Sequence, residues 1–473
     1  MISARISFGC ILVLLLLRAV LAVQLPLSAD EAYYWLWSKR LAAGYFDHPP
    51  AIAWLIHAGT TVFGDTPLGV RFWGIVLSLP ASWFVWRAAE LLLRDAGRAA
   101  LAALFFNLTL MASVELLAAT PDMPSIVASA GLVYFLARVR VEDDAQSWLG
   151  VGLAAGLGLL SKFSALFLGA GVLLWLMADR DARKWLLTPG PYLAAFVALL
   201  IFSPNLWWQS QHHWQTFAFQ FARVGTGHFT WRFLAEFLAA QFGLATPLIF
   251  ILMAVGLWRA TRLTSPLLML ACLVWVGLGY FLEHSLHDRV QGNWPCFLYP
   301  ALAILAADTF APAGARLRGV SLLAAPLAAA LLLALYAQAL FVPLEIKKDP
   351  LARILGRDFA PVGEVTAAMV RSHLAEAVLT TDYETTAWLR FNHPDVPVIQ
   401  LNEPQRFAEA PSAGPDVLRH SLIYLAELRR DQHPLVQKFF SYTGFPTQLQ
   451  TPSSLYMVYP VGRPRSSSLG KMP

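Results

Sequence analysis

The chain has 473 residues, 57% hydrophobic and only 14% charged, with a mean hydropathy of +0.54. Soluble domains carry roughly 25% charged residues, so the composition excludes a soluble globular protein and defines a polytopic membrane protein. The net charge of +5 comes from basic residues scattered between apolar runs, which is no nucleic-acid signature, and Cys10, Cys272 and Cys296 all lie in apolar stretches, which argues against a disulfide scaffold.

Apolar segments near 8–27, 68–93, 99–119, 123–139, 147–161, 163–178, 185–206, 233–258, 265–282, 294–310 and 319–343 predict eleven spans. The first follows Arg5 and ends in the small residues "AVLAV", as a cleaved signal would. It is read as a span because it reaches the roughly 20 residues that a bilayer crossing needs. The Gly-rich run 147–178 admits more than one division. With Arg5 inside, alternate loops carry Arg94 and Arg98; Arg138 and Arg140; Arg180, Arg183 and Lys184; Arg259 and Arg262; Arg316 and Arg318. Short basic loops stay cytoplasmic. The other loops hold "SADE" and "GYFDHPP" (28–50), "ATPD" (119–122), "SK" (161–162), "WWQSQHHWQTFAFQFAR" (207–223) and "HDRVQGNWP" (287–295), all expected on the outer face, the periplasm of a Gram-negative bacterium.

Within the first outer loop, Ser28 and Glu31 match a capping box that opens an amphipathic helix to about Ala43, with Gly44 as its stop. Pro50 suits the first turn of a second interfacial helix that Gly64 ends, which leaves Asp47 and His48 at the apex of the connection. Residues 1–343 are expected to form the transmembrane catalytic domain and 344–460 a small soluble α/β domain on the outer side, with 461–473 a disordered tail. In that outer domain "AVLTTDYETTAWLRFNHPDVPVIQL" reads as strand, helix, strand, and "SLIYLAE" and "SLYMVYP" as further strands.

Acids gather on the outer face. A carboxylate at a helix start is favoured by the dipole, and this explains Glu31 and Asp122 as well as a site does. Asp30 resists that account, and it shares its face with Asp47 and Asp122, where acids beside a membrane are costly unless they cap or function. Lys162, Arg223 and Arg289 lie on the same face. Snorkelling explains any one of them, but three cations with His48 opposite several acids fit a site that holds an anionic headgroup. His212, His213, His284 and His287 have no zinc-type spacing. No structural metal or cofactor is expected, and a requirement for a divalent cation is left open.

"DEAYYWLWSKRLAAGYFDHPPAIAWLIHAGTTVFG", "GVRFWG", "ATPDMPS", "LGLLSKFSALFLG" and "QGNWPCFLYPALAILAA" resemble the polyprenyl-phosphate-dependent glycosyltransferases of the GT-C class, specifically the bacterial family-39-like enzymes related to protein O-mannosyltransferases and the lipid A aminoarabinose transferase. The resemblance covers about residues 25 to 310. It implies that Asp30 is the catalytic carboxylate or orients the acceptor, that Asp47 and His48 lie beside the lipid phosphate, and that Asp122, the second catalytic candidate, borders the cavity. His213, Arg223 and Tyr299 match donor-phosphate contacts more loosely; Glu31, Lys162, Arg289 and Asn293 complete the donor- and acceptor-binding candidates. The aminoarabinose transferases have lysine where this chain has His48, so the resemblance argues less for that donor.

The expected reaction is inverting transfer of a single sugar from a polyprenyl-phosphate carrier to lipid A or lipopolysaccharide core at the periplasmic face of the inner membrane. It needs a carboxylate base for the acceptor hydroxyl and positive groups aimed at the departing phosphate, and a base opposite the leaving group inverts the sugar. The alternatives are a protein O-mannosyltransferase and a lipid-linked sugar flippase or transporter. A transporter places polar residues near the midplane of its helices, whereas these cluster at one surface.

Overall fold

The computed structural model describes residues 4–222, 227–262, 265–310, 315–344, 346, 348–407 and 415–465. The chain divides into two compact units, one made of Met1–Val23, Asp47–Leu55 and Arg71–Tyr336, the other of Gln24–Phe46, Ile56–Val70 and Ala337–Pro473. All eleven apolar segments fold as helix. Among the described residues five helices are long and apolar enough to cross a membrane, or six if one bent pair is a single span, and six further apolar helices are shorter. The protein is a multi-pass membrane protein.

In the first unit, small residues set the helix spacing. A Cβ on Gly152 would lie 2.6 Å from the Ala194 carbonyl oxygen, and one on Gly156 2.8 Å from Cβ of Ile201. The Gly-rich run that the sequence divides ambiguously is thus the close-packing face of helix Ser147–Ser161 against helix Gly190–Gln211.

Two expected spans are broken. Helix Ala96–Leu108 stops at Thr109, whose hydroxyl accepts the Ala112 amide at 3.2 Å to start Leu110–Glu115. The break leaves the Asn107 carbonyl outside the helical ladder, and Arg18 of helix Ala4–Gln24 donates to it at 3.1 Å. Arg18 is 0% exposed and also bonds the Asn107 side chain and Ser113 Oγ, each at 3.0 Å. A charge in a span is tolerated only with such partners.

The segment 233–258, expected as one rod, is two helices, Trp231–Leu244 and Pro247–Ala260, bent by 109°. Proline lacks the amide that would continue the ladder but fits a helix's first turn. Thr246 turns the corner with φ of +64°.

The second unit contains a six-stranded mixed sheet. Strands β1 (Ala377–Thr380) and β2 (Val398–Gln400) are parallel and joined by helix Tyr383–Asn392; β3 (Leu422–Glu427) runs parallel to β1 on its other side. Strand β6 (Leu455–Pro464) pairs antiparallel with β3, with Tyr424 opposite Tyr459, and also with β4 (Phe440–Thr443) and β5 (Thr447–Gln450). β6 continues past residue 460 to Pro464, and 466–473 lie outside the described residues. Leu379, Ile399, Leu422, Tyr424 and Val461 form part of the core. The segment 24–46 belongs to this unit: the Trp388 indole donates to the Leu27 carbonyl at 3.1 Å, and Trp35 packs edge-on against Phe391 with centroids 5.0 Å apart.

Candidate active site

In the second unit the acids sit on helix Ala29–Ser38. The expected capping box is present. Ser28 Oγ accepts the Glu31 amide at 3.3 Å, and Glu31 Oε2 accepts the Ser28 amide at 2.9 Å. Glu31 is 1% exposed, so it serves as a cap at the helix start. Asp30 beside it is exposed, and its Oδ1 accepts a hydrogen bond from the Tyr383 hydroxyl at 3.0 Å.

The helix ends at Ser38 and not near Ala43. The Tyr45 hydroxyl lies 3.0 and 2.9 Å from the Trp37 and Arg40 carbonyls and accepts the Ala42 amide at 3.1 Å, so a side chain satisfies groups that further helix would have used. Gly44 therefore is not a left-handed stop, whereas Gly64, with φ of +70°, ends helix Ala51–Phe63 as expected.

In the first unit Asp47 is buried and His48 half-buried, and the Gln220 amide donates to the Asp47 carbonyl at 2.7 Å. A second cluster joins three of the expected residues. Lys162 Nζ lies 2.6 Å from Asp122 Oδ1, and Asn293 Nδ2 donates to Asp122 Oδ2 at 2.8 Å. Cys296 Sγ donates to Asp122 Oδ1 at 2.9 Å. Asp122 is 3% exposed and opens helix Asp122–Glu142. Burial disfavours the Lys162 ammonium, but Asp122 beside it outweighs burial and holds its pKa above the ordinary lysine value. Lys162 is thus a fixed cation.

The remaining candidates stand apart from that cluster. Arg289 is exposed and bonds Glu236 Oε2 through Nε at 2.9 Å and Nη2 at 2.7 Å; Glu236 also accepts from Arg232 at 2.9 Å. Tyr299 is 1% exposed and its hydroxyl donates to Gln241 Oε1 at 3.0 Å, so it is part of the interior. His213 is exposed on a left-handed turn, with φ of +54°, after helix Gly190–Gln211. Arg223 lies outside the described residues. Among the described residues no group of three or more His, Cys, Asp or Glu side chains is placed to hold a metal ion.

Sequence reading missed Cys296, Tyr383 and Gln241. Cys296 follows Asn293 inside the quoted "NWPC", where its apolar surroundings hid it. Tyr383 is 353 positions from Asp30, and no local pattern links them.

One unit of membrane-crossing helices, another with a small sheet, and carboxylates that are exposed or ion-paired make up the architecture expected of the GT-C class. Residues 47–208 match the family of the dolichyl-phosphate-mannose-protein mannosyltransferases. The lipid A galacturonosyltransferase RgtD of Rhizobium johnstonii is 30% identical over 415 residues, 82% of this chain and 80% of that protein. The undecaprenyl phosphate-alpha-4-amino-4-deoxy-L-arabinose arabinosyl transferase of Yersinia enterocolitica is 32% identical over 174 residues, 36% of this chain and 31% of that enzyme. The crystal structure of ArnT from Cupriavidus metallidurans bound to undecaprenyl phosphate has the same fold, with a TM-score of 0.63 at 16% identity over 95% of this chain and 97% of that one. The chain belongs to the GT-C glycosyltransferases that draw sugars from polyprenyl phosphates.

Proposed function

We propose that this glycosyltransferase moves one uronic acid, galacturonic acid in the first instance, from undecaprenyl phosphate to lipid A or the lipopolysaccharide core, at the periplasmic face of the inner membrane. The 30% identity to RgtD over 82% of the chain carries this reading. The arabinosyl transferase of Yersinia enterocolitica matches over 36% of the chain only. His48 in place of that group's lysine supports the same preference.

Asp30 takes the proton of the acceptor hydroxyl, the oxygen bonds the anomeric carbon, and the bond from that carbon to the phosphate oxygen breaks. Polyprenyl phosphate leaves with the electron pair. Asp30 fits the base role because it is exposed, whereas Glu31 caps and Asp122 is committed to Lys162. Cationic stabilisation of the leaving phosphate falls to Lys162 and His48, with His213 and Arg223 as further candidates. Arg289 and Tyr299 are already engaged by Glu236 and Gln241 and hold structure. Residues 344–460 are assigned as the soluble periplasmic domain.

Mass spectrometry of lipid A and core from a deletion strain tests the reading. Loss of one hexuronic acid increment is expected, and a wild-type lipid A and core would sink it. Loss of hexose from secreted proteins instead would favour the protein mannosyltransferase reading that the match over 47–208 leaves as the second choice.

A further inference from the structure

Helix Tyr383–Asn392 is fixed at its first turn by charge. Its cap, Asp382, accepts the Thr385 amide at 2.9 Å, and Arg430, in the turn after β3, reaches Glu384 Oε1 at 2.7 Å and Asp382 Oδ1 at 3.6 Å. Tyr383, the first residue of that helix, is held on its ring as well as at its hydroxyl. Tyr33 packs on it with centroids 5.4 Å apart, and the Arg406 guanidinium lies 5.3 Å over its face. Arg406 is itself tied in place, because the Tyr33 hydroxyl donates to its carbonyl at 3.3 Å and Glu403 accepts from its Nε at 3.0 Å. Further along the helix, Trp388 bonds the carbonyl of Leu27, the residue preceding the capping box. The helix that carries Asp30 is therefore pinned to the sheet domain at two points, and the hydrogen bond from Tyr383 to Asp30 Oδ1 lies between rigid elements.

From this geometry we propose that Tyr383 is a positioning residue for sugar transfer: its hydroxyl holds the Asp30 carboxylate ionised and in one rotational setting for the acceptor. The proposal rests on the reading of Asp30 as the base. A hydrogen bond donated to a carboxylate favours its charged form, and a carboxylate fixed at one oxygen loses the torsional freedom that would blur its aim at the substrate. Burial and the adjacent Asp30 charge both push the Tyr383 pKa up, so the phenol remains a donor across the working range. Other charged groups near the pair are Glu31, Glu384, Asp382, Arg430, Arg406 and Glu403. Arg430 pairs with Asp382 and Glu384, Arg406 pairs with Glu403, and Glu31 accepts from Ser28.

The test uses the full-length protein in detergent with polyprenyl-phosphate sugar and purified acceptor, comparing wild type, Tyr383→Phe and Asp30→Asn. Tyr383→Phe keeps the ring contacts and removes only the hydroxyl. Thermal stability and KM for the donor should stay near wild type, while kcat falls by roughly tenfold or more, the scale of one lost hydrogen bond to a charged group. The acid limb of the rate profile should also move to higher pH, because Asp30 loses a group that favours its charged form. An unchanged kcat and acid limb in Tyr383→Phe, with Asp30→Asn inactive, would overturn this inference and leave the base assignment standing. Near-wild-type turnover by Asp30→Asn would remove the base assignment, and this inference with it. A KM rise with no shift in the acid limb would make Tyr383 a packing residue and also refute the proposal.

Discussion

Asp122 and Lys162 show how one residue can look catalytic in sequence and act through another in structure. Three donors converge on Asp122, so its charge serves Lys162 more directly than it can serve a substrate proton. Asp122→Ala should leave a buried ammonium short of its anion. Breaking a buried pair costs about 3–5 kcal/mol, and the lower end is expected because Glu115 also favours the Lys162 charge. The check is a thermal melt in detergent. The double variant Asp122→Leu, Lys162→Met should recover most of that stability, since apolar replacement of both partners removes the desolvation cost, yet remain inactive. Asp30→Asn makes the contrasting case: the exposed carboxylate contributes little to stability, so the melt should be unchanged while turnover drops on the order of a hundredfold or more. At His48 the residue type itself predicts a pH effect. Imidazole ordinarily titrates near 6.5 and lysine near 10.4, so under the role proposed for His48 the cation facing the donor phosphate is lost on the alkaline side in wild type. His48→Lys should keep activity to higher pH, and superimposable rate profiles would show that His48 only packs in its turn.

The elements were legible where a single physical demand dictates them. A bilayer crossing requires a long apolar run with its backbone bonds made internally, so all eleven runs became helices. The capping box and the strand–helix–strand of the sheet domain are local patterns and were equally readable. Strands β4 and β5 were missed because "FSYT" and "TQLQ" are short and largely exposed, and their pairing with β6 supplies what their sequences lack. The contact of Tyr383 with Asp30 was unreadable for a related reason: it depends on tertiary packing over 353 positions. The bend between Leu244 and Pro247 was half legible, since the proline was visible but the run's hydropathy argued for continuity. Thr246 sits there with φ of +64° and ψ of 138°, a conformation in which a β-branched residue is strained. Thr246→Gly should raise stability by about 1 kcal/mol, read as a higher melting temperature; a lower one would mean that the buried threonine packs better than its backbone suits it.

At the scale of the whole molecule, ion pairs and hydrogen bonds sort the loops of the helical unit into two sets. Arg98 meets Asp308 at 3.3 Å, Arg138 meets Asp144 at 2.7 Å, Arg140 meets Asp179 at 3.1 Å and Lys184 meets Asp143 at 2.5 Å. These pairs join loops 94–98, 138–144 and 179–184 and the end of helix Tyr299–Phe310, the loops that carry most of the basic residues. A different set is joined by Asp122, Lys162 and Asn293, and by Gln220 with Asp47, and it carries the candidate chemistry. Each of these contacts joins segments that the basic-residue alternation expects on one face. The positive-inside tendency predicts which set faces the cytoplasm, since loops rich in Lys and Arg resist translocation. Reporter fusions after Arg98, Arg140, Lys184 and Arg262 should therefore report cytoplasm, and fusions after Gly64 and Lys348 the periplasm. The polyprenyl tail keeps its sugar at the membrane edge, so transfer to lipopolysaccharide in the periplasm requires Asp30 on that side. A cytoplasmic signal from the Gly64 fusion would place the acids on the wrong side for lipid A, and the acceptor would then have to be sought among cytoplasmic lipids.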